Sequence, residues 1–200
     1  MSIRKTLSKF ALYIVVLTIP FTTVYSENSV YNNTEHTGSS VRKGKNQITC
    51  DGIIVIGNNE FINKTKEALA LIKKSPSHYK LMIENIVAIE QIEGQTVMQM
   101  LTKKVLVNNS HAFSDKFYYG STIVHEANHS KQMQEYCRIH SISYPSNAGF
   151  VPLNVYSGEQ AEMECVKVQR DFLVKIGASQ SHLDWIDSVI ETRWWEKGEK

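Results

Sequence analysis

Residues 122–132 read TIVHEANHSKQ and place His125, Glu126 and His129 in the order His-Glu-x-x-His. Positions four apart share one face of a helix. Two imidazoles on that face could bind one ion while Glu126 reaches a water beside it. Catalytic zinc takes three protein ligands and leaves a fourth position open, so the chain must supply another donor. Residues 157–177, SGEQAEMECVKVQRDFLVKIG, read as a helix carrying Glu159, Glu162 and Glu164. Glu162 lies early in it, Glu159 shares roughly its face, and Glu164 points elsewhere. A carboxylate here, on a helix packed against the first, would complete a two-histidine, one-glutamate set; His140 is a further alternative donor.

His125-Glu126-x-x-His129 with Glu162 on a later helix resembles the gluzincin branch of zinc metallopeptidases. In that branch the later helix often reads Glu-x-x-Ala, and here Cys165 stands at the place of the small alanine. Gln169 and the FLVKIG segment also look similar to small exported proteins of this type. The resemblance spans roughly residues 121–177. It implies a zincin-like fold, Zn2+ held by His125, His129 and Glu162, and Glu126 as general base. Zinc would acidify a bound water and polarise a carbonyl, and Glu126 would pass the proton to the leaving amine. The expected substrate is a peptide or protein. An amide of the cell envelope and a zinc-bearing module without turnover are the alternatives.

Other chemistries fit less well. Gln132 and Glu135 stand where the metzincin extension needs glycine and histidine. The chain has no inverted His-x-x-Glu-His, no Pro-Cys-x-x-Cys, no Gly-x-Ser-x-Gly elbow and no phosphate loop. A serine or cysteine triad stays open on composition alone. His140, Tyr144 and Tyr156 are candidate donors to an oxyanion, and no spacing selects among them. His111, in KVLVNNSHAF, is either a cleft residue on an edge strand or a surface residue.

The elements that must position these groups follow from periodicity. ITCDGIIVIG reads as one or two short strands. NKTKEALALIKKS reads as a helix, with Thr65 a candidate cap and Ser75-Pro76 as its stop. SHYKLMIENIVAIEQI reads as a second helix capped by Ser77, with Tyr79, Met82, Ile83, Ile86 and Ile89 on its apolar face. TVMQML and KVLVNN favour strands joined near 102–104. The motif helix is expected from Ser121 or Thr122 to about Tyr136. An irregular stretch with Pro145 and Pro152 follows to Tyr156. Ser157 and Gln160 fit a capping box for the glutamate-bearing helix, and Gly177 is its expected stop. A last helix begins near Ser181. The predicted class is α+β: a small N-terminal sheet with helices, then the motif helix packed on a C-terminal glutamate-bearing helix.

The chain has 200 residues, 42% hydrophobic and 21% charged, which suits one domain. A formal charge of +2 and the lack of a long basic stripe give no support to a nucleic-acid partner. Arg4, Lys5 and Lys9 precede an apolar run from Phe10 to Phe21 and then TTVYSEN, the order of a secretory signal peptide over residues 1–26. The run is short for a membrane span, although an anchor over residues 10–21 is the alternative. The mature protein is thus expected to be periplasmic or extracellular, without a stable span. Residues 27–46 read as a flexible arm, and 47–200 as the folded domain. An exported protein can keep a disulfide. Of Cys50, Cys137 and Cys165, the first two are the favoured pair, since Cys165 is explained as a small buried helical residue. Asn128-His-Ser130 matches a glycosylation acceptor, and a glycan there would crowd the proposed site.

Overall fold

The computed structural model describes residues 45–192. The expected signal peptide and nearly all of the expected arm lie outside the described residues, as do Trp194 and Trp195, which are expected from sequence to close the core or pack near the terminus. The fold is α+β, built on a five-stranded mixed sheet. Its strands are β1 (Asn46–Cys50), β2 (Ile53–Gly57), β3 (Ala88–Ile92), β4 (Val97–Gln99) and β5 (Lys104–Asn108). Their spatial order is β1-β2-β3-β5-β4. The three central strands run parallel, and β1 and β4 are antiparallel to their neighbours. β1 and β2 form a hairpin whose two turn residues, Asp51 and Gly52, both have positive φ (54° and 82°). Asp-Gly is the dipeptide that a type I′ turn favours.

Seven helices accompany the sheet among the described residues: α1 (Asn59–Ile72), α2 (Pro76–Asn85), α3 (Asn109–Ala112), α4 (Lys116–Ile139), α5 (Asn154–Ser157), α6 (Glu159–Lys175) and α7 (Gln180–Thr192). α4 is the central one. It packs on α1, α2 and α6, and α6 packs in turn on α7. Tyr119, Ile123, Val124 and Ala127 from α4 join Phe61, Leu69 and Ile72 from α1, Ile89 and Val105 from the sheet, and Phe172 and Leu173 from α6 in one apolar core. Each such large side chain contributes about 1.5–3 kcal/mol when fully buried. A helix covered on several sides shows little amphipathic contrast, and α4 accordingly buries polar residues too, Ser121, Asn128 and Ser130 among them.

Several element boundaries differ from the sequence reading. α1 is capped by Asn58, whose Oδ1 accepts the Phe61 N–H at 2.8 Å. Thr65 is buried inside that helix, with its hydroxyl 2.9 Å from the Phe61 carbonyl and 2.8 Å from the Tyr119 hydroxyl. Pro76 does not merely stop α1; it opens α2, with Ser75 rather than Ser77 at the cap. A proline fits there because the first-turn N–H has no helical partner. α2 ends at Asn85, and Ile86-Val87-Ala88-Ile89 turns into β3. Ile86 and Ile89 are buried through the sheet, whereas Ile83 is 43% exposed on the helix. α4 begins at Lys116, earlier than expected, because Asp115 accepts the Phe117 N–H and caps it. α6 starts after Gly158 with no side-chain cap, so Ser157 and Gln160 form no capping box. Gly177, with φ of 68°, ends α6 as expected.

Lys45 and Asn46, placed by sequence in the arm, belong to the fold. Asn46 opens β1, and the Lys45 ammonium lies 3.1 Å from the buried Glu90 carboxylate on β3. Lys104 reaches the other Glu90 oxygen at 2.9 Å. Burial pushes Glu90 upward, but the two lysines outweigh it and lower its pKa.

All three cysteines are free, so the expected Cys50–Cys137 bridge does not form. Cys50 packs against the main core, whereas Cys137 lies with Met133 and Val151 in a second cluster. That second cluster also takes in Ile142, Tyr144, Val155 and Tyr156. It pins the long irregular stretch after α4 back onto the helix. The Tyr144 hydroxyl donates to the Met100 carbonyl, in the 3-10 turn that follows β4.

Candidate metal centre

His125 and His129 lie one turn apart on α4 and face α6. Their Nε2 atoms are 2.9 Å apart. Glu162, in the first turn of α6, sends Oε2 to 3.4 Å from His125 Nε2 and 3.5 Å from His129 Nε2. Atoms bound about 2.0–2.1 Å from one tetrahedral centre sit roughly 3.3–3.4 Å apart. Two of the three separations already fit. The third is hydrogen-bond length, so an entering ion would push the rings a few tenths of an ångström apart. The three side chains keep between 8% and 14% of their surface exposed, so the cluster is reachable from solvent.

A second donor set overlaps the first. His125, His129 and Cys165 form a group that could hold a metal ion, with one ligand atom from each within 4.8 Å of the others. Cys165 Sγ, however, lies 3.3 Å from Nδ1 of His129, not from Nε2. The two nitrogens of one imidazole point in different directions. An ion held by both Nε2 atoms and Glu162 therefore has Cys165 behind His129 rather than beside the ion.

Electrostatics bind the cluster together. Burial is the largest influence on Glu162 and pushes its carboxyl up, yet hydrogen bonds to His125 and His129 outweigh it and hold the carboxyl well below its usual range. Burial likewise pushes His129 down most, but its bonds to Cys165 and Glu162 raise it overall. Without a metal the two form an ion pair. A dication bound there would take over the role of that proton.

Glu126 is 8% exposed. Its carboxylate accepts the backbone N–H of Met98 on β4. Burial raises its pKa; the nearby His125 and His129 pull it down, and Glu162 adds to the rise. A carboxylate close to the histidines, yet tied to a strand rather than to them, can take a proton without being a ligand.

The alternative donors sit elsewhere. Glu164 is exposed and accepts from Gln132 and Gln160. His140 ends α4, where its ring packs on Tyr136. At 1.5 Å per residue it is about 16 Å along the axis from His129. Glu159 is exposed at the start of α6. Tyr144 and Tyr156 pack in the second apolar cluster. His111, on α3, is exposed by surface area but crowded around its ring; this crowding and the charge of His125 lower its pKa. Asn128 is 6% exposed and donates to Cys165 Sγ at 3.3 Å, which leaves no room for a glycan.

A serine-histidine-aspartate string does occur. Ser75 Oγ lies 2.8 Å from His78 Nδ1, and His78 Nε2 lies 3.4 Å from Asp171. Ser75 and His78 are only 2% and 4% exposed, so the hydroxyl has no face open to a substrate. The string joins α2 to α6 and is structural.

Sequence reading named the groups behind the histidines without giving them a role there. Gln169 Oε1 lies 3.2 Å from His125 Nδ1, and Gln169 Nε2 donates to Ser121 at 2.9 Å. Gln169 is buried on α6. A glutamine seven residues after Glu162, on the same face of the helix, was the available signal. Compared with protein-family models, curated proteins and solved structures, the chain finds no match.

Proposed function

We propose that this chain is an exported zinc-dependent hydrolase of gluzincin type, with a zincin-like fold, that cleaves a peptide bond. The observation that carries the proposal is the convergence of His125 Nε2, His129 Nε2 and Glu162 Oε2 within 3.5 Å of one another beside a buried Glu126. Zinc bound there would supply a Lewis acid that polarises the scissile carbonyl and acidifies water. The chain's own groups do the rest. His125, His129 and Glu162 hold the ion. Glu126, its pKa raised by burial, accepts a proton from the attacking water and delivers it to the leaving nitrogen. The Met98 N–H holds that carboxylate at β4, next to the cluster.

β4, rather than the β5 stretch, forms one of the two edges of the sheet, and Val97 and Leu101 are exposed along and just beyond it. An extended peptide can add to such an edge through main-chain hydrogen bonds. Since Met98 on this strand also holds Glu126, a peptide lying along β4 would pass the general base.

One observation favours a second reading. If Cys165 joined the two histidines and Glu162, the set would close at four protein ligands, as in a structural zinc site. The position of Sγ on Nδ1 argues against it, and a closed site has no use for Glu126.

Zinc content and affinity of purified protein test the proposal. About one zinc per chain is expected, abolished by His125→Ala or His129→Ala and strongly weakened by Glu162→Ala. Cys165→Ser should leave stoichiometry unchanged. A wild-type protein that takes up no zinc, or loss of zinc on changing Glu159 or Glu164 alone, would contradict the donor set.

A further inference from the structure

Both proposed histidine ligands make a second hydrogen bond, and in each case the surrounding groups decide its direction. Ser121 Oγ lies 2.8 Å from the Tyr118 carbonyl, which can only accept, so the serine hydroxyl donates there. The serine oxygen must then accept from Gln169, which it does from Nε2 at 2.9 Å. This fixes the Gln169 amide with Oε1 toward His125. A carbonyl oxygen at 3.2 Å from Nδ1 requires a proton on Nδ1. The lone pair of neutral His125 is then on Nε2, the atom that faces His129 and Glu162.

The same reasoning applies independently to His129. Gln132 Nε2 donates to the Ala161 carbonyl at 3.1 Å and to Glu164 at 3.2 Å. Its Oε1 is thereby left to accept the Cys165 thiol, at 3.6 Å. With its own proton committed, the sulfur can only accept, from Asn128 Nδ2 and from His129 Nδ1, each at 3.3 Å. His129 therefore carries its neutral-state proton on Nδ1 and presents Nε2 as well.

Glu162, Cys165 and Gln169 follow the spacing i, i+3, i+7, so all three lie on one face of α6. We infer that Cys165 and Gln169 are positioning residues which fix the tautomer and ring orientation of His129 and His125, so that one helix face supplies both a ligand and the acceptors that aim the other two ligands. This rests on the zinc site proposed above. Outer groups of this kind typically change metal affinity by roughly 10–100-fold when removed. The buried Cys165, 0% exposed, is then neither a ligand nor a mere filler for alanine.

The test measures zinc affinity by competition with a chromophoric chelator, together with histidine ¹⁵N spectra of the zinc-loaded protein. Gln169→Leu keeps the volume and removes the acceptor; Gln169→Glu keeps an acceptor. Gln169→Leu should bind zinc roughly 10–100-fold more weakly. Gln169→Glu should bind at least as tightly as wild type. Cys165→Val should weaken binding and Cys165→Ser restore it. Wild type should show protected Nδ1–H signals for both histidines, with the His125 signal exchanging faster in Gln169→Leu. Equal loss in Gln169→Leu and Gln169→Glu would reduce the role to packing and overturn the inference. So would metal bound through Nδ1, or a thiolate-to-metal charge-transfer band in the cobalt-substituted wild type. Failure of the wild type to bind zinc would instead remove the site itself, and the inference with it.

Discussion

At the scale of single residues, the local motif announced itself, whereas its supports did not. His125, Glu126 and His129 are adjacent in sequence, and their helical spacing states their geometry. Spacing alone left Glu162 as one of several carboxylates on a later helix, because the angle at which α6 meets α4 is a tertiary matter, and the resemblance was what singled it out. Cys165 read as a small buried helical residue and Gln169 only as part of the resemblance, since no local rule tells a buried thiol from a buried acceptor. Thr65 shows the same limit: a threonine early in an apolar pattern reads as a cap, yet here it meets Tyr119 in the core. Thr65→Val keeps the shape and leaves the Tyr119 hydroxyl without that partner, so denaturant unfolding should show a loss of about 1–3 kcal/mol. His78 makes a prediction about pH. Burial lowers its pKa, with Asp171 only partly compensating. The unfolded chain therefore binds a proton more readily below the ordinary histidine value of about 6.5. Stability from this residue is fully present above that pH and falls as pH drops through it toward the folded value. His78→Gln should flatten that part of the stability curve; an unchanged slope would show that other groups dominate it.

At the scale of elements, periodicity separated helix from strand well where the pattern was local and poorly where pairing decided. The run from Ser77 to Ile92 keeps a helical rhythm through Ile86 and Ile89, yet the chain leaves the helix at Asn85. β3 lies between β2 and β5, and the parallel ladders on both sides reward an extended chain there. Such partners are distant in sequence, so a window along the chain does not contain them. The start of α4 was missed because the residues after its cap Asp115, Lys116-Phe117-Tyr118-Tyr119-Gly120, are a run of adjacent aromatics closed by a glycine and show no helical apolar rhythm. Close packing also sets a test between elements. Gly57 ends β2 where a Cβ would come 2.4 Å from Phe61 Cδ1 and 2.9 Å from Gln91 Oε1. Phe61 is fully buried and cannot swing away. Gly57→Ala should cost about 1–3 kcal/mol by overpacking, and calorimetry should show a lower Tm with the helical content retained. An unchanged Tm would mean that α1 shifts freely on the sheet.

At the scale of the whole molecule, class and order were legible: an α+β chain with sheet first, motif helix in the middle and glutamate-bearing helix after it. The sheet's strand order was not, because neither the parallel pairing of β3 with β5 nor the edge position of β4 leaves a local mark. The cysteine pairing was misread for a similar reason, since thiol counts carry no distances. No helix among the described residues is long and apolar enough to cross a membrane. Export is proposed from the basic, apolar and polar order of the first 26 residues. N-terminal sequencing of material secreted or released from the periplasm should find a mature chain beginning near Glu27, and a retained Met1 on membrane-bound protein would favour an anchor.

The central claim is that Glu126 moves the proton while His125, His129 and Glu162 hold the metal. Glu126→Gln keeps the side chain's size and all three proposed ligands. The decisive measurement is hydrolysis of a peptide library by wild type and Glu126→Gln at matched zinc occupancy. Retained zinc, retained fold and a fall in turnover of roughly 10²–10⁴-fold are expected. Equal turnover in the two proteins, with zinc bound in both, would contradict the assignment.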